Sequence, residues 1–177
     1  MAHGIVSIWR QMLRSVRMIV VITGVTGSGK TTIGKLLASQ LRWKFYEGDD
    51  FHPPINLEKL RRGEPLDDQD RLPWLTVIRY TIRAAIDRGE NAVVACSALK
   101  DSYRRMLRIS PEVIMVHLEA DPELIKKRLK HRTGHFMNPV LVQSQFETLE
   151  EPEGALQIDA GLSPAEIVGA IRSRLPV

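Results

Sequence analysis

The chain has 177 residues, 44% of them hydrophobic and 26% charged, values typical of a globular protein long enough to bury one core. Its formal net charge of +4 is mildly basic. With no dense Lys/Arg block interleaved with aromatics, nucleic acid is not an expected partner. A single cysteine, Cys96, excludes an internal disulfide framework and fits a reducing cytoplasm, and no apolar run reaches the roughly 20 residues that a membrane span needs.

Residues 1–17 hold three arginines and no acid. Ile5, Ile8, Trp9, Met12, Leu13 and Val16 could share one helical face, as in a targeting or membrane-surface segment. The plainer reading is an extension outside a single working domain at 18–177. Residues 18–23 are apolar and β-branched and read as a buried strand. Gly24-Val25-Thr26-Gly27-Ser28-Gly29-Lys30-Thr31 follows and fits G-x-x-x-x-G-K-[ST], the phosphate-binding loop. Thr32 and then Ile33, Leu36 and Leu37 continue at helical spacing, so the loop sits between a strand and a helix. Glycines let successive N–H groups turn inward, and the helix start favours negative charge there. Residues 24–32 are therefore the expected nucleotide site. Lys30 would reach the outer phosphates of ATP, and Thr31 would hold Mg2+.

Residues 43–46 read as a second strand, which delivers Glu47, Gly48, Asp49 and Asp50 to its carboxyl end. Ligands of parallel α/β sheets bind beyond the carboxyl ends of the strands. Asp49 is thus a candidate to take a proton from an acceptor hydroxyl, against the plainer role of a capping aspartate, and Glu47 a candidate magnesium ligand or a turn residue. His52 follows, then a short helix near 56–62 closed by Gly63. The acidic run Asp67–Asp70 lacks the glycine and distal glutamate of a calcium loop. Pro73 suits a helix start, and Leu75, Ile78, Ile82, Ala85 and Ile86 recur at helical spacing up to Gly89.

Residues 92–96 form a third expected strand, with Cys96 a buried strand residue, and 113–118 a fourth. A basic helix, 101–108, lies between them. Asp121 and Pro122 start another helix. Residues 133–139 interrupt it before a helix at 140–149, and the basic stretch 128–140 is the expected mobile lid, with Arg128 and Arg132 placed to bring cations onto transferring phosphate. Arg71, Lys100 and Arg104 are candidates to clamp an acidic acceptor, or are solvated charges; His52 and His135 are donors or loop residues. Residues 155–158 read as a fifth strand, and Ser163-Pro164-Ala165-Glu166 is a capping box opening a last helix through Leu175. Alternating strands and helices predict a parallel sheet covered on both faces.

The run Glu47-Gly-Asp-Asp-Phe-His-Pro-Pro-Ile-Asn56 and the run Gly63-Glu-Pro-Leu-Asp-Asp-Gln-Asp-Arg-Leu-Pro-Trp-Leu75 closely resemble the bacterial gluconokinases. So do Cys96-Ser-Ala-Leu-Lys100, Arg132-Thr-Gly-His-Phe136 and the stretch from Ser144 to Pro152. The resemblance spans the chain from about residue 18 onward. It implies ATP-dependent phosphorylation of D-gluconate at its 6-hydroxyl, in a cytoplasmic enzyme that forms a homodimer. The implied fold is that of shikimate kinase and the nucleoside monophosphate kinases: a five-stranded parallel sheet in the order 2-3-1-4-5, an acceptor-binding helical region and a lid. On that comparison Asp49 meets the acceptor, Arg71 its carboxylate, and Arg128 and Arg132 are lid arginines. Residues 158–160 lie beside adenine, and Glu47 stands where many relatives carry aspartate. A relative acting on shikimate or a nucleotide is the first alternative. A nucleotide-controlled switch is the second, and the chain lacks the N-K-x-D by which switch GTPases read their base.

Overall fold

The computed structural model describes residues 17–130 and 138–175. Strand β1, Ile19–Thr23, is buried along its whole length, as a continuous apolar run in the middle of a parallel sheet must be. Its neighbours are β3 (Ala92–Ala95) and β4 (Val113–Glu119), while β2 (Lys44–Glu47) pairs with β3 and β5 (Leu156–Asp159) with β4. All four pairings are parallel, and the order is β2-β3-β1-β4-β5, the order that the resemblance implies.

Seven helices lie among the described residues: α1 (Lys30–Leu41), α2 (Pro54–Arg61), α3 (Asp68–Asp87), α4 (Asp101–Leu107), α5 (Pro122–Lys130), α6 (Pro139–Thr148) and α7 (Pro164–Arg172). Successive strand side chains point to opposite faces, so β1 feeds two cores. Ile19 and Val21 pack with Trp74, Leu75, Ile78 and Ile82 of α3 and Leu107 of α4. Val20 and Ile22 pack with Ile33 and Leu37 of α1 and with Ile167, Val168 and Ile171 of α7. A third, smaller cluster joins Val25 and Leu99 to Ile125 of α5 and Val142 of α6, under the turn that follows β1.

Two boundaries differ from the sequence expectation by more than two residues. Helix α3 begins at Asp68, not at Pro73, which lies inside it. Asp67 caps the helix: its side chain accepts the Asp70 N–H at 2.8 Å, and the Asp70 carboxylate accepts the Asp67 N–H at 3.1 Å. This reciprocal cap uses aspartate where glutamate or glutamine is the familiar partner. It anchors the first turn, so the helix tolerates the one backbone bond that Pro73 cannot donate. Helix α7 ends at Arg172, short of Leu175.

Candidate active site

The carboxyl ends of the strands converge on the turn between β1 and α1. Gly24, Gly27 and Gly29 there have φ of 137°, 78° and 105°, in the region that L side chains avoid. A β-carbon on Gly24 would also stand 2.8 Å from the Leu118 carbonyl oxygen. Gly29 caps α1 with no side-chain bond, so the first-turn N–H groups of α1 have no side-chain acceptor at the cap and face the loop with the positive end of the helix dipole. Beside them opens a cleft of about 490 Å3, lined by residues 26–33 with Asp49 on one side and Arg128, Leu129, Leu162, Pro164 and Ile167 on the other. Its polar end is a nest of backbone donors; its other end is an apolar slot with an arginine edge, suited to a flat heterocycle.

Thr26 to Thr32 line the cleft, whereas Gly24 and Val25 lie behind it. Val25 is 1% exposed and belongs to the small apolar cluster, and its carbonyl accepts from Lys30 Nζ at 2.9 Å. Arg128 is an expected lid arginine, yet it sits on α5 with its guanidinium on backbone carbonyls: Gly27 at 3.4 Å, Ser28 at 3.1 Å and Ala160 at 2.5 Å. It ties the loop to the turn after β5. A second tie was not anticipated. Gln145 of α6 accepts the Thr26 N–H at 2.7 Å; it lies inside the Ser144–Pro152 run, which signals its segment but not its direction.

On the acceptor side, Glu47 ends β2 and is half-buried. Gly48 begins the 3-10 turn that carries Asp49, and a β-carbon there would come within 2.3 Å of the Ala95 carbonyl oxygen, so only glycine lets β2 leave the sheet this close to β3. Trp74 Nε1 donates to the Gly48 carbonyl at 2.7 Å and its ring stacks on His52 at 4.3 Å between centroids. One tryptophan thus positions both the Asp49 turn and His52. The Asp49 side chain is 74% exposed, with His52 Nε2 at 4.0 Å. Burial lowers the His52 pKa, against the raising effect of Asp49, so this imidazole is neutral at pH 7.

The cations divide. Arg71, only 6% exposed, donates Nε to the Leu66 carbonyl at 3.2 Å and stands 6.0 Å over the Tyr103 ring. Its terminal nitrogens make no hydrogen bond among the described residues. Lys100 is paired with Asp68 at 2.6 Å, and Tyr103 also donates to that carboxylate; the two bonds, Lys100 first, hold the Asp68 pKa below its usual value. Arg104 is placed differently from the expectation. It is 1% exposed and its guanidinium donates to the carbonyls of Leu99 at 2.7 Å and Glu151 at 2.6 Å. Those bonds turn both terminal nitrogens onto the backbone and hold the turn in which Ala98 has a φ of 37°; Nε, also buried, has no hydrogen-bond partner among the described residues. Burial pushes the Cys96 thiol up to about 12, so it stays protonated and no nucleophile. Arg132 and His135 lie outside the described residues.

The family model described as shikimate kinase matches residues 26–155. A gluconokinase of Gluconobacter oxydans (strain 621H) is 47% identical over 133 residues, covering 75% of this chain and 75% of that protein. A probable gluconokinase of Xenopus tropicalis is 39% identical over 181 residues, covering 89% and 95%. Among solved structures, a gluconokinase from Sinorhizobium meliloti 1021 is 40% identical with a TM-score of 0.80, covering 88% of this chain and 89% of that one.

Proposed function

Because the chain belongs to the gluconokinase family, we propose that it transfers the γ-phosphoryl group of ATP to the 6-hydroxyl of D-gluconate, giving 6-phosphogluconate and ADP. One observation carries the assignment of roles: Asp49, at the end of β2, lines the same cleft as Lys30 and Thr31 of the phosphate loop. A donor site and a carboxylate able to take a proton thus face one space.

In this reading the loop amides and Lys30 hold the donor polyphosphate. Asp49 accepts the proton of the 6-hydroxyl as its oxygen bonds to the γ-phosphorus and the bond to the bridging oxygen of ADP breaks. Arg71, braced by Leu66 and with its terminal nitrogens uncommitted, meets the gluconate carboxylate as a fork. Neutral His52 is a donor or acceptor for a substrate hydroxyl, and Lys100 with Asp68 forms the rim. Arg128 braces the loop; Arg132 and His135 keep the roles that the family resemblance implies. Mg2+ suits Thr31 with Glu47. No group of three or more acidic, histidine or cysteine side chains able to hold a metal exists among the described residues, and magnesium keeps several waters and leans on substrate phosphates. The ion would offset charge on those phosphates.

A homodimer and a cytoplasmic setting belong to the same proposal; the free, buried Cys96 suits a reducing compartment, and no helix among the described residues is long and apolar enough to cross a membrane. The test is coupled ADP release with gluconate, other sugar acids and shikimate. Gluconate should be turned over fastest. Strong turnover of shikimate or a nucleoside monophosphate, with none of gluconate, would overturn the reading.

A further inference from the structure

The phosphate loop makes unequal contacts with the two helices beside it. Arg128 of α5 grips carbonyl oxygens on its outer side. Gln145 of α6 instead takes a backbone donor: its Oε1 accepts the Thr26 N–H at 2.7 Å across 119 residues of sequence. Thr26 is the third residue of the loop and lines the cleft that Asp49 also lines, so its peptide borders the donor nest for polyphosphate while its own N–H is committed to Gln145.

Helix α6 is a firm base for this side chain. Val142, three residues before Gln145, is buried with Val25, Leu99 and Ile125, and Phe146 and Leu149 pack on the same cluster. Past the helix end, the Glu150 N–H donates to the Leu99 carbonyl at 3.0 Å and its carboxylate accepts the Asp101 N–H at 2.6 Å. Packing of Val25 therefore fixes the second loop residue, and the amide of Gln145 fixes the third. The 25–26 peptide lies between Gly24 and Gly27, both at positive φ, where backbone rotation meets little steric resistance. A fixed acceptor on its N–H selects one orientation of that peptide. Among the described residues the Gln145 Nε2 has no hydrogen-bond partner, so the Thr26 bond alone orients the side-chain amide.

We propose that Gln145 is a positioning residue for phosphoryl transfer: acting through Thr26, it holds the outer edge of the phosphate loop in register with the terminal phosphoryl group. The proposal rests on the kinase reading given above. It separates two functions of one loop. The inner amides at the start of α1 bind the part of the nucleotide that ATP and ADP share, whereas Thr26 aligns the γ-phosphoryl group that is transferred.

The test is Q145M, which keeps the length of the side chain and removes the acceptor, with Q145N, which withdraws the acceptor by one methylene. Both should lose about tenfold or more in kcat. ADP affinity should stay within about twofold, thermal stability should be unchanged, and the affinity for a non-hydrolysable ATP analogue should fall. The Thr26 amide proton should shift upfield in the NMR spectrum of the nucleotide-free protein as its hydrogen bond is lost. A wild-type kcat in both variants, an unmoved Thr26 resonance, or equal losses of ADP and analogue affinity would overturn the proposal; the last outcome would make Gln145 a structural prop. If the wild-type protein fails to phosphorylate gluconate, the kinase reading fails, yet the resonance and the ADP-to-analogue ratio still judge Gln145.

Discussion

Three side chains carry the sharpest expectations at the residue scale. In the proposed mechanism Lys30 supplies a cation to the donor phosphates, so Lys30→Ala should lower kcat by about 10²-fold or more in a protein whose far-ultraviolet circular dichroism is unchanged. Asp49→Asn keeps shape and removes the base. Turnover should fall by about 10²- to 10⁴-fold while ATP affinity, followed by calorimetry, holds; collapse of that affinity with turnover preserved would move Asp49 to the donor site. His117 sits in β4 with Nδ1 at 3.0 Å from Thr23 Oγ1 and is 4% exposed. Burial, more than the nearby Arg104 and Lys30, lowers its pKa to about 4. The folded protein thus resists a proton that the unfolded chain takes up near pH 6.5. The stability from neutral His117 is whole above that pH and is lost as pH falls toward 4, by on the order of 3 kcal/mol. Urea melts of H117N should show a flatter stability profile between pH 6.5 and 4 than the wild type.

At the scale of elements, α3 shows how a strong local signal misleads. Pro73 is a good first helical residue, but the reciprocal Asp67–Asp70 cap starts the helix a turn and a half earlier. Those extra residues matter, because they place Asp68 and Arg71 on the helix instead of in a loop and aim Arg71 inward. Asp67→Ala should cost about 1 kcal/mol, read as a lower denaturation midpoint, and should raise the KM for gluconate more than that for ATP. The three central strands, β1, β3 and β4, were legible because the middle of a parallel sheet is buried on both faces and writes itself as near-continuous apolar runs. The directions of Arg104 and Gln145 were not. A helix shows its faces by periodicity, but which backbone carbonyl or N–H a long polar side chain meets depends on segments 47 and 119 residues away.

At the scale of the molecule, the first strand is anchored just before it begins, where the Met18 N–H donates to Asn91 Oδ1 at 2.8 Å. Removing residues 1–17 should leave gluconate turnover within about twofold; a large loss in the truncated protein would give the leader a catalytic part. The phosphate loop, the strand–helix alternation and the family-like runs after β2 are properties of contiguous residues, so the sequence alone determined the place of the loop, the fold class and the kind of reaction. Only the tertiary structure decided which charges are open to a ligand and which are already paired. Arg71, Lys100 and Arg104 look alike as letters, yet one keeps its terminal nitrogens open, one is paired with Asp68, and one is consumed by backbone carbonyls. The reason is that the donors a long cationic side chain satisfies, and those it leaves open, depend on which carbonyls and carboxylates the fold brings near, and that neighbourhood is set by the packing of distant elements.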